Sequence, residues 1–110
     1  MDPAEQIALK EALDRLWVKF LPQTEERVAV LESAAAFFSA NQLLQDQQYA
    51  ASSAAHKLAG VLGTFGLTEG TVLARELELM YSREGGPDPT FAARLTESAA
   101  RLRAIVSDRN

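Results

Sequence analysis

The chain has 110 residues, 47% of them hydrophobic and 24% charged, which suits a single domain with one hydrophobic core. It has no cysteine, so a disulfide framework, a thiol nucleophile and a thiolate metal site are all excluded, as befits a reducing cytosol. A net charge of −4 without clustered Lys and Arg argues against a nucleic-acid surface, and neither a signal-peptide pattern nor an apolar run near ~20 residues is present. The expectation is a soluble, cytoplasmic protein with protein partners, no nucleic acid and no membrane contact.

Apolar residues recur at helical spacing almost throughout, with no sustained strand-like alternation, so the fold class is all-α. Asp2, Pro3 and Glu5 form a helix-opening signal ahead of the stripe Leu9, Leu13, Leu16, Trp17 and Phe20, and Pro22 predicts a stop. Thr24, followed by Glu25 and Glu26, predicts a second start, with Val28, Leu31, Ala35 and Phe38 as its stripe up to Asn41 and Gln42. Asp46 is the expected cap of a third helix, over about 46–65, that runs through an Ala-rich stretch. Thr68 is the expected cap of a fourth, whose buried face is Val72, Leu73, Leu77 and Met80. Gly85, Gly86 and Pro87 then break the chain, and Asp88 and Pro89 open a last helix with Phe91, Leu95, Leu102, Ile105 and Val106 facing inward. Five helices joined by short turns make a bundle with antiparallel neighbours, a single domain over 1–110 without repeat or linker.

His56 is the only histidine. At roughly 100° per residue, Ala50, Ala54, Leu58, Val61 and Phe65 fall on one side of its helix and His56 on the other. Its own face carries only small residues: Ser52, Ser53, Ala59 and Gly60 one turn away and Gly63 two turns away. Glycine inside a helix costs about 0.5–1 kcal/mol relative to Ala, so helix stability did not place two of them here. A bare face lets another protein's loops come within bonding distance of the ring.

An imidazole with a pKa near ~6.5 offers a lone pair to an electrophilic phosphorus at cellular pH. A hydrolytic triad fits less well: Ser52 and Ser53 are near, but no Asp or Glu shares the face within one helical turn to orient the ring. One His without Cys or carboxylates at helical spacing is also a poor metal site, and none is expected. Lys57, at the rim of the face, could bring its ammonium toward a phosphoryl oxygen or be a merely solvated lysine.

Residues 54–78, AAHKLAGVLGTFGLTEGTVLARELE, resemble the signature of histidine-containing phosphotransfer (HPt) domains of two-component phosphorelays. In that family the phosphorylated His is followed by Leu at the second position and Gly at the fourth, here Leu58 and Gly60. Gly66, Leu67, Leu77 and Glu78 match further along. The family's commonest form has Lys at the third position after the His, where this chain has Ala59, and Lys57 directly follows the His instead. The resemblance implies an antiparallel up-and-down four-helix bundle with an additional N-terminal helix. It implies His56 as phosphoacceptor, with Lys57, Gly60, Ser53, Ser52 and Gly63 in phosphoryl stabilisation or docking. It also implies partners in the form of a response-regulator receiver domain, a sensor histidine kinase or both, and no cofactor of its own, Mg²⁺ coming from the receiver. The chain has no glycine-rich nucleotide box, so it reads as a phosphocarrier rather than an autonomous kinase. Two alternatives stay open: a phosphoacceptor module cut from a chemotaxis-type histidine kinase, and a non-catalytic helical adaptor in which His56 is incidental.

Overall fold

A computed structural model describes residues 1–109. Four α-helices and one short 3₁₀ turn carry the fold, with no strand among the described residues: α1 (Pro3–Ser39), α2 (Gln45–Thr64), α3 (Thr68–Ser82), the 3₁₀ turn (Pro89–Phe91) and α4 (Ala92–Arg109). Short connections force each helix to run antiparallel to the one before it. Ion pairs mark the register of the outer contacts, Arg103 with Glu32 and Arg109 with Asp14 between α1 and α4, and Arg101 with Glu69 between α3 and α4. The core is the meeting of Val28 and Leu31 from α1, Leu58 and Leu62 from α2, Leu77 and Tyr81 from α3, and Leu95, Leu102 and Val106 from α4, all buried. Trp17 closes one end, its ring edge-on to Phe65 at 5.2 Å with the Arg109 guanidinium 5.4 Å from its centroid.

The break expected at Pro22 does not occur. The N-terminal helix and its successor are one 37-residue helix, α1, with Pro22 inside it. Proline removes one i→i−4 donor, but Pro22 is exposed and the carbonyl it leaves belongs to Val18, itself 70% exposed, so water can satisfy that oxygen. Thr24, expected as a cap, is buried, and its Oγ1 donates to the Phe20 carbonyl at 2.9 Å instead. The additional N-terminal helix is therefore the first half of α1, running past the end of α4 and giving the molecule a 53 Å long axis. Leu9, Leu16 and Phe20 stay 37–48% exposed on this extension, because nothing covers that part of the stripe.

Two more caps are displaced by a residue or two. The cap position of α2 is Leu44, whose N–H donates to Gln47 Oε1 at 2.9 Å, and Asp46 lies in the first turn. The cap position of α3 is Leu67, with Thr68 the first helical residue. The inward face of α3 is Gly70, Ala74, Leu77 and Tyr81, so Val72, expected inside, is 51% exposed. Phe91 is likewise 44% exposed, because the chain is still in the 3₁₀ turn there and has not entered the register of α4. Asp88 does open that segment, its Oδ1 accepting from the Thr90 N–H at 2.9 Å.

Candidate functional site

The expected apolar face of α2 is rotated in the fold. Ala50 is exposed and Val61 half-buried, while Ala51, Ala54, Ala55, Leu58, Ala59 and Leu62 are buried, a turn of the inward face by roughly 70° at 100° per residue. Ala59 is thus a core residue and no part of the open face. The rotation also means that His56 does not stand opposite the core but leans toward α3.

The turn between the two helices decides what it meets there. In an antiparallel pair, residues equidistant from the turn face one another, and His56 and Glu78 each lie eleven positions from Leu67. His56 Nδ1 is 2.8 Å from Glu78 Oε2, with the His side chain 73% exposed and the Glu side chain 30% exposed. Other contacts join the same two helices in a register offset by about one helical turn: the Thr71 hydroxyl donates to the Ala59 carbonyl at 3.4 Å, and Gln48 Nε2 donates to the Tyr81 and Arg83 carbonyls at 2.8 and 3.0 Å. No carboxylate lies within a turn along α2, yet one reaches the ring across the helix interface. A count outward from the turn through Gly66 and Leu67, good to about one helical turn, is the sequence signal that leads to Glu78.

Around the ring, Ser53, Lys57 and Gly60 are exposed and Ser52 is half-buried. A Cβ added at Gly60 would meet nothing within 4 Å, so this position is open to solvent. Gly63 is also exposed but borders α3: a Cβ there would sit 3.5 Å from Thr71 Oγ1, in ordinary contact. Among the described residues Lys57 has no ion-pair or hydrogen-bond partner, and no group of three or more His, Asp or Glu side chains is placed to hold a metal ion.

An ionised carboxylate only accepts hydrogen bonds, so Glu78 selects the imidazole tautomer with its proton on Nδ1 and leaves the lone pair on Nε2. No described side chain bonds Nε2, so neither Ser52 nor Ser53 forms the hydroxyl partner a hydrolytic triad requires. The arrangement is an oriented, solvent-facing nitrogen nucleophile on a rigid helix with small neighbours.

Comparison with known families matches the Hpt domain over residues 15–105. Protein RcaC of Microchaete diplosiphon is 41% identical over 66 residues, 60% of this chain and 10% of RcaC, so the chain spans about a tenth of that relative's length. No solved structure matches. No helix of the described residues is long and apolar enough to cross a membrane. The family match takes in all of α2 and α3, with His56 and Glu78, and most of α1 and α4; the chain belongs to the Hpt domain family and has a phosphotransfer role in two-component signalling.

Proposed function

We propose that His56 is the phosphoacceptor and that it exchanges its phosphoryl group with the aspartate of a receiver domain, a sensor histidine kinase being the other partner class, in the cytoplasm. The observation that carries this is the pairing of an exposed Nε2 with an Nδ1 held by Glu78 at 2.8 Å. In the transfer, the O–P bond of the receiver's aspartyl phosphate breaks, the Nε2–P bond forms and the aspartate leaves as carboxylate. Nδ1 keeps its proton, and Glu78 stabilises the positive charge that builds on the ring as Nε2 commits its lone pair. Mg²⁺ belongs to the receiver's side of the complex. Ser53 and Gly60 admit the receiver's loops, and Lys57 faces the incoming phosphate from the rim.

The test is transfer from a receiver domain phosphorylated by a small phosphodonor. Label is expected on this chain, in an N–P linkage labile to acid and comparatively stable to base, and none on His56→Gln protein. Label persisting in that variant would refute the assignment, since the chain has one histidine. A wild-type protein that stays unlabelled would favour the adaptor reading.

A further inference from the structure

The phosphoryl group brings about two negative charges at neutral pH to a face where Glu78 already supplies one, and Lys57 is the only cation that α2 offers there. A second cation stands on α3. Thr71, Arg75 and Glu78 share one side of α3 at i, i+4, i+7 spacing; on α2, Thr71 touches Ala59 and Glu78 touches His56. Arg75 lies between them. Its exposed side chain therefore leaves α3 opposite the stretch of α2 bracketed by His56 and Ala59, next to Gly60 in the chain, where nothing occupies the space a Cβ would fill.

Arg75 is also free to act. The three carboxylates of α3 are all engaged, Glu69 by Arg101, Glu76 by Arg94 and Glu78 by His56. The arginines that follow it in the chain are paired too: Arg83 with Asp88, Arg94 and Arg101 as just given, Arg103 with Glu32 and Arg109 with Asp14. Arg75 is exposed and has no hydrogen-bond or ion-pair partner among the described residues.

We propose that Arg75 is a phosphoryl-binding residue: it closes over the vacant surface at Gly60 and, with Lys57 on the opposite side of the ring, holds the phosphoryl group on Nε2 of His56. This rests on His56 being the phosphoacceptor. It also gives Gly60 a second use, because a side chain there would obstruct the guanidinium as well as a partner. A guanidinium suits the task because its planar fork meets two phosphoryl oxygens at once.

The experiment uses phosphoramidate as direct donor, so that no receiver is needed. The donor's N–P bond breaks, ammonia leaves carrying a proton from solvent, and the Nε2–P bond forms. Arg75→Ala should lower the rate of His56 phosphorylation by about three- to tenfold, the span between a solvated ion pair and a charge-assisted hydrogen bond. Arg75→Lys should recover part of it, and the rate difference should shrink as salt rises. In wild-type protein the Arg75 Nε–H resonance should shift downfield on phosphorylation, which a merely structural arginine would not show. Equal rates for wild type and Arg75→Ala, with His56 labelled in both, would overturn the assignment and leave the phosphoacceptor reading intact. A wild type that takes no label would overturn both.

Discussion

His56 Nδ1 on α2 and Glu78 Oε2 on α3 stand 2.8 Å apart, an acceptor brought to the ring from another helix. If that contact sets the tautomer, Glu78→Ala should release the ring to both tautomers and to free rotation, slowing transfer by roughly tenfold, the lower end of what loss of an orienting partner costs an imidazole ligand. Glu78→Gln should be milder, because an amide at this partly exposed position can rotate to present its oxygen to Nδ1–H. Imidazole ¹⁵N shifts check the cause: wild type should be predominantly protonated at Nδ1, and the Ala variant mixed. An unchanged tautomer ratio in Glu78→Ala protein would mean the contact does not orient the ring.

Pro22 supplies a test of the continuity of α1. Replacing it by Ala restores a backbone donor toward the Val18 carbonyl inside an unbroken helix, while giving the unfolded chain more freedom. The net expectation is a gain of about 1–2 kcal/mol in the denaturant-unfolding free energy. A loss of stability would indicate a helix boundary at Pro22, with the proline favoured there for its fixed φ.

The all-helical architecture and the exposure of His56 were legible in the sequence because both rest on helical period, and Leu58, Leu62, Leu77, Leu95 and Leu102 repeat that period clearly. What misled was local punctuation. Pro22 and Thr24 carry a stop and a start signal, yet Trp17 and Val28, both buried on the same side of α1, keep the helix running through them. Period alone does not set the inward face of α2, because Ala50, Ala51, Ala54, Ala55 and Ala59 are equally apolar, and the fold buries all of them but Ala50. Glu78 was visible as part of a family motif, but its contact with His56 depends on the register of two helices about a turn, which periodicity along one helix does not contain.

Tyr81 is fully buried in the core, and its hydroxyl has no hydrogen-bond partner among the described residues. Burial also pushes the phenol's pKa up to about 12, which keeps it neutral across the physiological range. A buried donor without a partner costs free energy, so Tyr81→Phe should keep the packing and raise stability by about 1 kcal/mol, read from the denaturant midpoint at unchanged m-value. A drop of that size would show that the hydroxyl is satisfied in solution, by an internal water for example. Because Tyr81 lies near the C-terminal end of α3, a turn beyond Glu78, transfer rates per folded molecule should not change.

Gly60 and Gly70 sit on facing helices, yet the same substitution should act on them in opposite directions. Around Gly60 a Cβ meets nothing within 4 Å and the backbone is helical, so Gly60→Ala should stabilise the protein by up to about 1 kcal/mol. At Gly70, which is buried, a Cβ would come within 2.8 Å of Leu62 Cδ1 and 3.4 Å of Ile105 Cγ2. Leu62 is itself fully buried, with little room to retreat, so Gly70→Ala should destabilise by about 1–3 kcal/mol despite its better helix propensity. Transfer separates the two further. Gly60→Gln leaves the helix intact but fills the surface beside His56, and should slow receiver-to-His56 transfer by about 100-fold, as expected when reacting atoms are held ~1 Å from their productive approach. Gly70→Ala, in the core about two turns along α3 from Glu78, should transfer normally at temperatures where it remains folded. Denaturant midpoints and transfer rates measured side by side decide the matter. If Gly60→Gln transfers at the wild-type rate, the bare face has no part in docking. If Gly60→Ala unfolds more easily than wild type, the glycine serves the packing of the bundle.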